Sequence, residues 1–187
     1  PSKNLGGFGD GGMVATEDEG LAELVRMLLK HGGRDKYNVD HVGYNARIDT
    51  LQAAVLLAKL KHIDEFNSKR REVADIYNDG LKGISGIELP GEIPDGNHVF
   101  HQYTIRVKAG KRDLLQKHLS ENGVSTMVYY PVPLHKMLVF QNGRAIKGGD
   151  LSESEKAVTE VLSLPVEPLM KPEGASCVCE GIKGFFK

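Results

Sequence analysis

A lysine directly ahead of a run of glycines is the arrangement in this chain with the clearest chemical potential. Lys3 is followed by Gly6, Gly7, Gly9, Gly11 and Gly12, five glycines within seven residues. Two chemistries use a lysine beside such a loop. In the phosphate-binding pattern G-x-x-x-x-G-K-[ST] the lysine follows the glycines, whereas Lys3 precedes them. The other is a Schiff-base lysine, whose amine must be deprotonated to attack a carbonyl and so sits in a desolvated pocket. Glycines beside it let the backbone approach a flat ring closely. Taken alone, the pattern describes more simply a surface lysine before a flexible turn, because most lysines are exposed. Cys177 and Cys179 form a C-x-C pair. That pair has too few ligands for a zinc site and does not make a disulfide framework, so no metal is expected. The two read as free thiols of a reducing cytoplasm, the location expected for the chain.

The elements that must hold these residues show in the hydrophobic pattern. The chain has 187 residues, 40% hydrophobic and 26% charged, the balance of a globular protein with its own core. No apolar run is long enough to span a membrane, so no membrane partner is expected. The net charge of −1, with acids and bases interspersed, speaks against a nucleic-acid partner. Residues 13–16 read as a strand. Leu21, Leu24, Val25 and Leu28 mark an amphipathic helix over 18–30, stopped by Gly32 and Gly33. Residues 32–47 read as an extended loop. A long helix, capped by Asp49 or Thr50, follows to about Lys82, with a kink conceivable near Asn67. Residues 83–97 read as loop with a short strand at 87–89. Tyr103, Ile105 and Val107 alternate with polar residues and mark a half-buried strand. A short helix over 112–121 carries Leu114, Leu115, His118 and Leu119 on one side. A strand over 124–130 is stopped by Pro131 and Pro133. Ser152 and Glu155 form a capping box for a helix running to Leu164-Pro165, and Pro172 starts a last helix toward Phe186.

This order predicts an α/β region followed by an α+β one. Residues 1–50 read as the tail of a larger α/β unit, 51–83 as a long linking helix, and 84–187 as a small α+β domain with a mostly antiparallel sheet. Because the chain starts inside its glycine-rich loop, a fragment is expected.

Four segments occur in order: Ser2-Lys3-Asn4-Leu5-Gly6-Gly7-Phe8-Gly9-Asp10-Gly11-Gly12, Gly43-Tyr44-Asn45-Ala46-Arg47-Ile48-Asp49-Thr50-Leu51-Gln52-Ala53-Ala54, Tyr129-Tyr130-Pro131-Val132-Pro133-Leu134-His135 and Leu162-Ser163-Leu164-Pro165. Together they resemble the DegT/DnrJ/EryC1/StrS family of sugar aminotransferases, over essentially the whole chain. The resemblance implies the C-terminal part of a fold-type I aminotransferase. It also implies pyridoxal 5′-phosphate held covalently by Lys3, which would act as general base and acid. By the same resemblance Asn45 reaches the cofactor phosphate of the other subunit of a homodimer with a shared active site. Arg47 lies near the substrate, where bidentate bonding suits a carboxylate or phosphate. Tyr129, Tyr130 and His135 border the nucleotide-sugar site.

Each residue also has a plainer reading. Asn45 suits a turn after Gly43. Arg47 suits an interface ion pair, and one of the two tyrosines would face the core of a strand. His135 suits a local hydrogen bond, His31 a helix C-terminus, and Asp10 the glycine turn.

The expected activity is transfer of an amino group, with glutamate the donor by resemblance, to a nucleotide-linked keto sugar. The family's front half is absent, and with it the aspartate that makes the cofactor ring an electron sink, so this chain alone is expected to be inactive. Dehydratase relatives of the same fold carry His at the Schiff-base position, which Lys3 disfavours. A non-catalytic dimerisation or regulatory module is the alternative from another class.

Overall fold

Asp18 starts the first helix. Its carboxylate accepts a hydrogen bond from the Leu21 backbone N–H at 3.0 Å, and Glu19 adds negative charge to the positive end of α1 (Glu19–Leu28). These elements belong to a computed structural model that describes residues 1–35, 37–91, 96–141, 143 and 148–187. The loops expected over 32–47 and 83–97 include residue 36 and residues 92–95, which lie outside the described residues. The chain divides into two compact units, Pro1–Glu65 and Phe66–Lys187.

In the first unit, α1 ends where His31 and Gly32 take φ of +69° and +92°. The backbone then turns back on itself. His31 N–H donates to Tyr44 O at 2.9 Å, Tyr44 N–H to Leu28 O at 2.7 Å, and Ala46 N–H to Leu29 O at 3.1 Å. Gly43 sits where the strands of this knot touch: a Cβ there would stand 2.1 Å from Gly32 N. The segment 13–16 is not a strand. A strand needs a hydrogen-bonding partner, and among the described residues none pairs with it.

The single helix expected over 50–82 is two, α2 (Thr50–Leu60) and α3 (Ile63–Leu81). The break falls at Lys61-His62 rather than near Asn67. There His62 N–H donates to Lys59 O at 2.9 Å, a tighter turn than the helical ladder allows.

The second unit holds the core. Its sheet has three antiparallel strands in the order β1 (Ile87–Glu88), β2 (Tyr103–Val107), β3 (Val161–Leu164). Tyr103 pairs with Leu164 and Ile105 with Leu162. As the period of two predicts, Tyr103, Ile105 and Val107 are all buried. They meet Val73, Ala74, Tyr77 and Leu81 of α3, Leu115 and Leu119 of α4 (Arg112–Glu121), and Ala175, Val178, Cys179 and Ile182 of α7 (Pro172–Phe186). Leu114, expected on the same side of α4, is exposed instead. The two buried tyrosine hydroxyls have partners: Tyr77 donates to Pro165 O and Tyr103 to Asn78 Oδ1, each at 2.6 Å. On the sheet's other face Thr104 Oγ1 and Ser163 Oγ lie 2.7 Å apart.

Two readings change here. The strand expected over 124–130 is one bridge, Met127 with Ser163. Extending that ladder would pair residue 125 with Pro165, which has no N–H to give. The third strand is instead β3, placed by the sequence inside a helix. That helix, α6 (Ser152–Glu160), stops four residues sooner. The capping box does not form either. Ser152 is the first helical residue, and its N–H and hydroxyl both bond Asp150, at 3.0 and 2.6 Å. Between β2 and α6 lie α4, a 3-10 turn at Leu134–Lys136 and the short α5 (Leu138–Gln141).

Candidate active site

The glycine-rich loop is fixed to α2 by two side chains seven residues apart, hence on one helix face. Gln52 accepts from Phe8 N–H through Oε1 and donates to Gly9 O through Nε2, both at 3.1 Å. Lys59 Nζ donates to Gly6 O at 2.7 Å and stands 4.7 Å from the centre of the Phe8 ring. The loop needs its glycines here. Gly6 has φ of +71°, and a Cβ on Gly7 would stand 2.5 Å from Gln52 Nε2. Gly9 and Gly12 have open space where a Cβ would be. Lys3 heads this loop and is exposed, its carbonyl accepting from Gly6 N–H at 2.8 Å. Its amine makes no hydrogen bond or ion pair among the described residues.

Asn45 and Arg47 are brought together. Arg47 Nη2 donates to Asn45 Oδ1 at 3.3 Å, and Asn45 bridges to Lys30 at the end of α1. Arg47 lines a cavity of about 560 Å³ with Lys30, His31, Arg34, Asp35 and Val39. Its single acid is engaged elsewhere. Asp35 accepts from the Asn38 side chain at 2.9 Å and from the backbone N–H groups of Asn38 and Tyr37 at 2.8 and 2.7 Å. Those bonds hold its carboxyl below the usual range. Lys30 and Arg34 form no ion pair among the described residues, which leaves the cavity wall net positive.

In the second unit, Tyr129 and Tyr130 meet edge to face with ring centres 5.5 Å apart, and both are solvent-accessible. Neither is in the core, because they follow the lone bridge rather than a strand. Tyr129 lines a cavity of about 280 Å³ with Thr126 and Ser163. Tyr130 and His135 line another of about 600 Å³, walled by Pro133, Leu134, Met137 and Val158. His135 Nε2 lies 2.9 Å from Glu155 Oε1.

Sequence reasoning missed Lys59, Lys30 and Arg34, and gave Gln52 only a place in the second motif and Glu155 only a place in a capping box. Only the Gln52–Lys59 spacing of two helical turns carried a signal.

The sequence profile of the DegT/DnrJ/EryC1/StrS aminotransferase family matches residues 1–183. The chain belongs to this family. It is 47% identical, over all of its length and 50% of the relative's, to the "Pleiotropic regulatory protein" of Geobacillus stearothermophilus. It is 42% identical, over 98% of its length and 48% of the relative's, to the dTDP-3-amino-3,4,6-trideoxy-alpha-D-glucose transaminase of Streptomyces venezuelae. Among solved structures it resembles S. venezuelae DesV in complex with ketimine intermediate, with a TM-score of 0.91 and 41% identity, covering 100% of this chain and 49% of DesV. The architecture is therefore that of the C-terminal part of a fold-type I aminotransferase, and the chain spans about half the length of these relatives. The family depends on pyridoxal phosphate. Among the described residues, no helix is long and apolar enough to cross a membrane.

Proposed function

We propose that this chain carries the catalytic lysine of an aminotransferase that moves an amino group, with glutamate as donor, to a nucleotide-linked keto sugar in the cytoplasm. The observation that carries the reading is Lys3, an amine without a partner among the described residues at the head of a clamped glycine loop. Those residues fit the cofactor: a free amine can attach a flat aromatic aldehyde, and the loop beside it has room at Gly9 and Gly12. When bound, pyridoxal phosphate supplies an electron sink for charge developing at the donor's α-carbon. Lys3 would hold it, then carry a proton to and from that carbon.

Asn45 would donate its amide to the cofactor phosphate of a partner subunit in a homodimer. The positive cavity beside Arg47 suits the diphosphate of a nucleotide sugar. Tyr129, Tyr130 and His135 would border the sugar, with apolar walls excluding water.

Borohydride reduction of the gene product with cofactor bound, followed by peptide mass mapping, should place the label on Lys3 and bleach the yellow colour. Lys3→Ala should lower amino transfer by more than about 10²-fold. A label on another lysine, or full activity in the variant, would sink the reading. One observation favours a second reading: the 47% identical relative bears a regulator's name. A colourless, unlabelled gene product would favour that regulatory role.

A further inference from the structure

The carboxylate of Glu155 bridges two neighbours in a way that fixes the chemistry of one of them. His135 Nε2 lies 2.9 Å from its Oε1, and Lys136 Nζ donates to its Oε2 at 2.8 Å. Glu155 stands in the first turn of α6, whereas His135 and Lys136 belong to the 3-10 turn after Pro133. That turn is itself pinned, since Gln141 Nε2 donates to Lys136 O at 2.7 Å. The His135 side chain is 23% exposed and lines the apolar groove with Tyr130. Glu155 does not line that groove.

An ionised carboxylate can only accept. Hydrogen bonds from Lys136 and from His135 keep the Glu155 carboxyl below its usual range, so it is ionised at neutral pH. The ring nitrogen facing it must then be the donor. A neutral imidazole with its proton on Nε2 has a bare lone pair on Nδ1. Among the described residues, Nδ1 has no hydrogen-bond partner.

We propose that Glu155 is a positioning residue, which locks His135 in its Nε2–H tautomer so that Nδ1 is the acceptor for a hydroxyl or amide N–H of the sugar substrate. The proposal rests on the reading of His135 as a residue that borders the sugar. It gives the groove a specificity element: an acceptor that cannot also donate, unlike the hydroxyls of Tyr130 and Ser154, among Pro133, Leu134 and Val158, whose side chains offer none. A substrate lacking a donor at that point would leave Nδ1 unpaired in the complex.

The test pairs a spectroscopic signature with kinetics on the gene product. Imidazole ¹⁵N shifts at alkaline pH, assigned by the signal lost in His135→Gln, report the tautomer of His135. The Nε2–H form should dominate in the natural protein. In Glu155→Gln and Glu155→Ala the Nδ1–H form should gain severalfold, whereas Lys136→Ala should leave the tautomer unchanged. The KM for the sugar should rise roughly fivefold to tenfold in both Glu155 variants, the loss of about one hydrogen bond. The rate of the glutamate half-reaction should not move. An unchanged tautomer in both Glu155 variants overturns the proposal whatever the KM does. A shifted tautomer with an unchanged sugar KM, in Glu155→Ala and in His135→Gln alike, instead overturns the placing of His135 at the sugar and the proposed purpose with it.

Discussion

The two units of this chain are stabilised by different means. In Phe66–Lys187, three helices bury apolar side chains against one face of a sheet, and the buried tyrosines are hydrogen-bonded. In Pro1–Glu65, Met27 is the one buried apolar residue among those described. That unit keeps its shape through backbone knots at Gly32 and Gly43 and through the polar clamps of Gln52 and Lys59. Its helix α2, TLQAAVLLAKL, has no buried residue, although a helix apolar on most sides is the kind that packs inside a protein. The residues proposed to hold the cofactor lie in the unit with little core. Their geometry is set by tight backbone contacts, which tolerate change less well than their exposure suggests.

The largest expected effect tests this contrast directly. Ile105→Ala removes a fully buried side chain from the centre of the sheet and should cost about 2–5 kcal/mol in denaturant unfolding. Leu57→Ala, on a helix where that side chain is 65% exposed, should change stability by less than about 0.5 kcal/mol. Equal losses in this chain would break the contrast and mean that α2 is packed in solution.

A smaller effect would sharpen it. Gly43→Ala adds a methyl group where backbone atoms of Gly32, His31 and Leu28 stand 2.1, 2.4 and 2.6 Å away. None of these is a side chain that can swing aside. The knot must open, at a cost of about 1–3 kcal/mol, and Asn45 and Arg47 must shift with it. Hydrogen exchange should speed at Tyr44 and Ala46, whose N–H groups bond to α1, and stay unchanged in β2. Faster exchange in β2 would couple the two units more tightly than the contrast allows.

The sequence carried much of the fold where local signals agreed. Alternation over 103–107 gave β2, and Pro172 marked the start of α7. It failed where a tertiary partner decided. Val161-Leu162-Ser163-Leu164 continues a helical pattern but becomes strand because β2 offers it an edge, and a short apolar run is ambiguous without that partner. Glu155 sits at the spacing of a capping box, yet its carboxylate is drawn to His135 and Lys136. Leu56, Leu60, Ile63 and Phe66 continue one apolar stripe past Lys61-His62 and so hid the break between α2 and α3. In the candidate site, Lys3, Asn45 and Arg47 were visible as members of ordered motifs. The positive cavity was not, because Lys30 and Arg34 meet Arg47 only through the turn at Gly32 and Gly43.

The smallest effect concerns the polar face of the second unit's sheet. Glu160 closes α6 and accepts from Arg106 Nε at 2.8 Å and Lys108 Nζ at 3.0 Å, while Lys108 also meets Glu88 at 2.7 Å. Burial pushes the Glu160 carboxyl up, but the hydrogen bonds from Lys108 and Arg106 outweigh it and leave it below the usual glutamate range. A carboxyl held low in the folded chain stabilises it above the unfolded value of about 4.3. That contribution is lost as pH falls through the lower, folded value. Glu160→Gln should therefore melt below the natural chain at pH 7, and the gap in Tm should close in acid. Arg106 adds to the loss at neutral pH, because its Nη2 is already buried without a partner among the described residues. A Tm difference that stays constant from pH 7 into acid would mean that shape, rather than charge, is what Glu160 contributes, and that the second unit rests on its apolar core alone.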